Sequence, residues 1–274
     1  MKKIHIDQRL MTNCRLVVDL YITNVCNFGC EYCDAKYEYN SSKPITFENA
    51  KYLIDCISKA NDVNFSILGG EPTLHKDLNK ILEYSYDKVK ELELYTNGST
   101  DLKKVRCDLT KTTISIHPKF YHKFKNRIID NILFLKENNF NFVVKIMMEN
   151  KNKFIFNELK NIVECFPYYI FNPDNNNFLI PYEIEDKPMI HFGESMISTI
   201  DYIKKYHMSK YLCKMNSIVI LSNGETSIYC GNDTYLGNLF ENPNIIKDFK
   251  IKLKPCEQYN TKGCTELEIV KFLK

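Results

Sequence analysis

Three cysteines, Cys26, Cys30 and Cys33, follow the apolar run Leu16 to Ile22 in the spacing C-x3-C-x2-C. Three thiolates on one short loop can hold three corners of a [4Fe-4S] cube and leave the fourth iron without a protein ligand, open to a substrate. Zinc also takes closely spaced cysteines, but structural zinc sites usually close with a fourth Cys or His nearby, and none follows Cys33 at short spacing. A second group, Gly69-Gly70-Glu71-Pro72, follows the next apolar run. Its glycines would let a backbone come close to a ligand, and its carboxylate and carbonyls could accept hydrogen bonds from an ammonium group.

Further candidates follow along the chain. Ser115 and His117 alternate with Ile114 and Ile116 and so share one strand face, where each would need a buried partner. His117 is the candidate catalytic side chain. Lys145 reads first as a solvated surface cation, with a barrel interior, where it could meet a substrate, as the other reading. Cys14, Cys56, Cys107 and Cys165 are most simply small buried hydrophobes, with the reservation that a thiol reaching an interior could donate a hydrogen atom to a substrate radical.

The elements that must position these groups alternate between extended and amphipathic segments. Strands are predicted over Arg15 to Ile22, Asn64 to Leu68, Glu91 to Thr96, Thr112 to His117, Phe142 to Met148 and Tyr168 to Asn172. Helices are predicted over Thr46 to Ala60, Asp77 to Asp87, Phe120 to Asn138 and Asn152 to Cys165, from apolar residues at three- and four-residue steps. This βαβα rhythm implies an α/β fold with a parallel sheet or barrel under helices, which periodicity alone does not distinguish from a doubly wound sheet. A last helix is expected from Glu194 to Met208. Beyond it comes a cysteine-rich segment with two short strands about the turn Ser222-Asn223-Gly224. The expected division is residues 1–208 and 209–274.

The cysteine loop after a first strand, followed by Gly69 to Pro72, resembles the radical S-adenosylmethionine (radical SAM) enzymes. The resemblance implies a partial (β/α)6 barrel, a [4Fe-4S] cluster on Cys26, Cys30 and Cys33, and SAM bound through its amino and carboxylate groups to the open iron. It assigns Gly69, Gly70, Glu71 and Pro72 to the SAM amino group. It places Tyr32 near the adenine, where shielding the cluster from water is the other reading. Ser115, Glu149 and Asn150 fall where the ribose would bind, and Thr96-Asn97-Gly98 matches a turn at the SAM end of the barrel.

The C-terminal Cys213, Cys230, Cys256 and Cys264 resemble the ligands of a twitch domain, the shortened relative of SPASM domains, which holds one auxiliary [4Fe-4S] cluster. The seven-residue gap between Cys256 and Cys264 departs from the usual pattern and makes Cys264 the least secure ligand, and zinc on the same four thiolates is an alternative. The resemblance implies reductive cleavage of SAM to a 5′-deoxyadenosyl radical, hydrogen abstraction from a small molecule, and net two-electron oxidation. A short peptide, epimerised or cross-linked, is the alternative substrate, and an iron-sulfur or zinc module without catalysis is the alternative of another class. An external one-electron reductant such as flavodoxin or ferredoxin is the expected partner. Twenty-five residues precede Cys26, too few for a peptide-recognition domain, which favours the small molecule.

Bulk properties narrow the field. The chain has 274 residues, enough for a sizeable core, and a net charge of +3 that is too small and dispersed to argue for nucleic acid. No apolar run is long enough to span a bilayer, and Met1 to Leu10 does not read as a signal peptide, so a cytoplasmic location away from membranes is expected. In such a compartment eleven cysteines point to cluster or metal ligation over disulfides.

Overall fold

Period-two alternation gives the first strands two different faces. β1 (Leu16–Tyr21) buries Leu16, Val18 and Leu20, and leaves Val17, Asp19 and Tyr21 half-buried on its other side. The same alternation recurs in β2 (Val63–Leu68), β3 (Glu91–Thr96) and β4 (Lys111–Ile116), whose second faces also bury the polar Ser66, Glu93 and Thr113. With β5 (Phe142–Met148) and β6 (Cys165–Tyr169) these strands form six successive parallel neighbours. The structure, a computed structural model, describes residues 15–33, 43–60, 62–148, 152–169, 189–192, 195–198, 211–228, 234–255 and 269–271.

Helices cover one face of this sheet. α1 (Phe47–Ile57) is capped by Thr46, whose hydroxyl accepts from the Asn49 amide, and with α2 (Leu78–Tyr86) it packs on Val18, Leu20, Phe65, Ile67, Leu92 and Leu94. α3 (Pro118–Glu137), with proline at its first position, and α4 (Lys153–Leu159) pack on Ile114, Ile116, Val144 and Ile146. Each fully buried Leu or Ile contributes roughly 1.5–3 kcal/mol, so this layer fixes which strand face is inside. The opposite face carries Asp19, Ser66, Glu93, Thr113, Ser115 and Lys145. The fold is therefore the expected α/β arrangement, a parallel sheet wrapped on one side by helices.

Two segments differ from expectation. β6 begins at Cys165 and α4 stops at Leu159, because the β-branched pair Ile162-Val163 suits the approach to a strand better than a further helical turn. Ser195–Ser198, at the start of the helix expected from Glu194, is a strand, β8, paired antiparallel with β7 (Met189–Phe192). Residues 199–208 of that expected helix lie outside the described residues.

β9 (Tyr211–Met215) forms a separate three-stranded sheet between β13 (Lys252–Pro255) and β14 (Ile269–Lys271). β10 (Ser217–Ile220) pairs parallel with β1 and is followed in the sheet by β11 (Glu225–Ile228) and β12 (Thr234–Asn238), which makes nine strands in the order β12-β11-β10-β1-β2-β3-β4-β5-β6. Ile218 and Ile220, with Ile245 and Ile246 of α5 (Ile245–Asp248), join the core beneath β1. The expected C-terminal hairpin is thus β10–β11, and it shares a sheet and a core with β1. Among the described residues no helix is long and apolar enough to cross a membrane.

Candidate functional site

The cysteine loop leaves β1 at its carboxyl end and is fastened there by the Gly69–Pro72 segment. The Gly70 amide donates to the Thr23 carbonyl (2.7 Å) and the Glu71 amide to the Val25 carbonyl (2.8 Å), which carries the β1–β2 pairing past the strand ends. A Cβ on Gly70 would lie 2.5 Å from the Val25 oxygen and 2.7 Å from that of Asn24. The close approach that needs glycine here is one of chain to chain, where the sequence suggested chain to ligand.

Glu71 is 1 % exposed and points inward. Its carboxylate accepts from the Thr96 hydroxyl (2.7 Å), the Asn97 amide (2.6 Å), the Thr73 amide (3.1 Å) and the Thr73 hydroxyl. Burial pushes the carboxyl above its usual range, and the donors Thr73, Asn97 and Thr96 pull against that. The side chain locks its own loop to the end of β3. Pro72 opens the short 3-10 turn Pro72–Leu74 that Glu71 caps.

From β3 the contact continues into the cysteine loop. Asn97 Nδ2 donates to Asn27 Oδ1 (3.0 Å) and lies 4.0 Å from Cys26 Sγ, while Asn27 Nδ2 donates to Ser99 Oγ (2.8 Å). Gly98 has φ +69°, and a Cβ there would sit 2.9 Å from Ile114 Cγ2, so the turn admits only glycine without strain. Asn131 of α3 braces this turn from behind by donating to the carbonyls of Gly98 (2.9 Å) and Thr100 (2.7 Å). Asn97 is both the expected turn residue and a direct neighbour of the loop.

The other end of the loop rests on α3. Phe28 stacks on Phe120, with ring centroids 4.3 Å apart, and tilts against Phe124 at 5.2 Å. His117 occupies the cap position of α3, but its ring makes no cap hydrogen bond. Instead Nδ1 lies 3.3 Å from Cys30 Sγ and 3.0 Å from the Tyr32 hydroxyl, and its ring runs nearly parallel to that of Tyr32. Burial drives the imidazole down to about 4, so it is neutral at neutral pH. His117, expected beside Ser115 on the strand, thus lies one residue past β4 and faces the cysteines.

The thiols themselves suit a cluster. Cys30 is pushed up to about 12 by burial and then by the neighbouring Cys33 and Cys26, and Cys26 is raised by burial and by Glu71 and Cys33. Three thiolates this near one another need cationic charge to ionise together, which bound iron supplies. Among the described residues no three Cys, His, Asp or Glu side chains converge closely enough to hold one metal ion.

Ser115 is half-buried and pairs in register with Lys145, whose Nζ stands 5.4 Å over the Tyr95 ring, on the face opposite Val144 and Ile146. Lys145 therefore takes the interior reading. Cys56, Cys107 and Cys165 are buried in the helix-side cores, away from that interior. Glu149, Asn150, Cys14, Cys230, Cys256 and Cys264 lie outside the described residues, and for Cys213 only the backbone in β9 is described. Sequence reasoning missed Asn27, Ser99 and Asn131. The aromatic shelf had a signal, since Phe120 and Phe124 stand four residues apart on one helix face.

Residues 20–148 match the Radical SAM superfamily. A segment of 83 residues is 37% identical to an S-adenosylmethionine-dependent nucleotide dehydratase of Selenomonas ruminantium, covering 30% of this chain and 30% of that protein. The chain thus spans under a third of that relative's length. In fold it is similar to Streptococcus suis SuiB bound to S-adenosylmethionine, with a TM-score of 0.55 at 16% identity over 84% of this chain and 64% of that one. It is similarly like BtrN in complex with AdoMet and 2-DOIA, with a TM-score of 0.54 at 16% identity over 86% and 83% of the two chains. Residues 20–148, which include the loop of Cys26, Cys30 and Cys33, thus match a radical SAM domain.

Proposed function

We propose that this chain is a radical SAM enzyme that removes a hydrogen atom from a small molecule, with net two-electron oxidation as the outcome. The observation that carries the reading is the cysteine loop, fastened by Gly70, Glu71 and Asn97 at the carboxyl ends of the parallel strands, where a polar interior face begins. When bound there, a [4Fe-4S] cluster and SAM supply one-electron cleavage of the sulfonium carbon–sulfur bond and a hydrogen-abstracting 5′-deoxyadenosyl radical. Cys26, Cys30 and Cys33 hold three irons. The free edge of Gly69–Pro72 takes the SAM amino group, and Tyr32 meets the adenine or shields the cluster from water. Ser115, with Glu149 and Asn150, serves the ribose. Glu71 acts through the loop it holds, since its carboxylate is already filled by Thr73, Thr96 and Asn97.

Net oxidation needs an acceptor for the second electron, and this reading gives that place to an auxiliary cluster on Cys213, Cys230, Cys256 and Cys264. In support, β13, whose last residue Pro255 precedes Cys256 in sequence, pairs directly with the strand that carries Cys213. An external flavodoxin or ferredoxin is the electron source. A small-molecule substrate is supported by the nucleotide-directed name of one relative and by the 2-DOIA bound to BtrN. The rival is a peptide, since SuiB has also been solved with its precursor peptide SuiA.

Anaerobic reconstitution, addition of SAM and dithionite, and assay of 5′-deoxyadenosine test the enzyme reading, and no 5′-deoxyadenosine leaves only a binding module. Iron per chain in a Cys26, Cys30 and Cys33 to Ala variant tests the auxiliary site. Given four irons per cube, about four should remain against about eight in the parent. Faster 5′-deoxyadenosine formation with short peptides than with nucleotides or sugars would reverse the substrate assignment.

A further inference from the structure

Cys30 differs from Cys26 in what surrounds its sulfur. Around Cys26 Sγ the close donor is the backbone amide of Phe28 at 3.3 Å, with Asn97 Nδ2 at 4.0 Å. Around Cys30 the partners are side chains, His117 Nδ1 at 3.3 Å and the Tyr32 hydroxyl, which also hydrogen-bonds the Cys30 sulfur. The two rings lie 12° from parallel, and Phe28 meets the imidazole edge-on at 5.8 Å, so the imidazole is held on two sides. Pro118, the next residue, limits the backbone freedom of this position further.

The chemistry of a ligating sulfur orders these contacts. A cysteine that binds iron has lost its proton and can only accept, so the His117 contact requires Nδ1 to carry the hydrogen. The Tyr32 oxygen, 3.0 Å from that same nitrogen, then shares that hydrogen as an acceptor, and its own proton is left to point at the sulfur. Cys30 thereby receives two removable side-chain donors. Donors to cluster sulfurs stabilise the added electron and move the reduction potential upward.

We propose that His117, together with Tyr32, is a positioning residue that raises the reduction potential of the cluster by donating hydrogen bonds to the Cys30 sulfur. The inference rests on the reading of Cys26, Cys30 and Cys33 as cluster ligands, and it replaces the direct catalytic role that the sequence suggested for His117. In this role the imidazole does not touch substrate. It sets how readily an external donor can charge the cluster.

The test is a redox titration of the anaerobically reconstituted full chain, followed by the electron paramagnetic resonance signal that responds to added SAM. His117→Phe keeps a ring in place without a donor. It should lower the reduced-to-oxidised ratio at fixed ambient potential about tenfold, equivalent to about 59 mV in the negative direction for one electron. His117→Asn, whose amide nitrogen can take the place of Nδ1, should recover most of that ratio. Tyr32→Phe should shift it in the same direction by less. An unchanged potential in His117→Phe at full iron content overturns the proposal, as does an Asn variant shifted as far as the Phe variant. If His117→Phe loses its iron, Tyr32→Phe decides, and an unshifted potential there also overturns it. A parent chain that takes up no SAM-responsive cluster overturns the underlying reading of the loop along with it.

Discussion

The two ends of the cysteine loop are held by different physics. The Cys26 end is tied by hydrogen bonds that converge on a buried carboxylate, running from Glu71 to Thr96 and Asn97 and on to Asn27 and Ser99. The Cys30 end is seated by aromatic packing, with Phe28 between Phe120, Phe124 and His117 on the first turns of α3. A hydrogen-bonded node fixes direction but fails all at once when its shared acceptor goes. A packed shelf tolerates small changes of shape and fails in proportion to the area removed. The contrast suits a loop that must keep three thiols in register.

That difference can be broken from either side. Glu71→Ala should cost the most, about 4 kcal/mol, because the Thr96 hydroxyl and the Asn97 and Thr73 amides lose a common buried acceptor. Urea denaturation of the apoprotein should show the loss, and iodoacetamide labelling followed by mass spectrometry should show Cys26 reacting several-fold faster with Cys30 little changed. Phe28→Ala should cost about 3 kcal/mol by leaving a gap against Phe120 and Phe124, and it should reverse the labelling, with Cys30 the more exposed. Equal acceleration of both thiols in both variants would show that the loop responds as one unit.

Gly70→Ala comes next, at about 2 kcal/mol, because its methyl must displace backbone oxygens of Asn24 and Val25 where no flexible side chain can give way. Circular dichroism melting should report it, and a variant as stable as the parent would mean that the loop has room the geometry does not show. Tyr32→Phe should be smallest, about 1 kcal/mol or less for one partly exposed hydrogen bond. Its interest lies in the electronic shift expected at Cys30.

Much of the scaffold was legible because period-two and helical spacings are local. β3 and β5 run over the residues predicted, and α1 to α3 are displaced by no more than a few residues at their ends. Ser195–Ser198 was misread because a short apolar stretch containing β-branched Ile197 suits either element, and pairing with β7 decides it. At the site, the residues that could do chemistry were visible, but their partners were not. Asn131 appears in sequence as a lone polar residue among Ile128, Ile132 and Leu135, and nothing local says that it reaches Gly98 and Thr100. Lys145 could have faced either way until its strand was set between β4 and β6.

By itself the sequence determined the candidate ligands and their setting: three cysteines at a fixed spacing after a strand, a Gly-Gly-Glu-Pro turn after the next, and a repeating strand and helix order. Those are properties of neighbouring residues, which spacing and side-chain chemistry express directly. Tertiary structure alone decided which groups serve the loop and which serve each other. It turned Glu71 inward to four donors, spent Gly70 on chain-to-chain contact, and laid His117 against Cys30 across 87 residues of chain. Such pairings depend on how strands stack and where helices dock, and no local pattern records the distance between two side chains that only the fold brings together.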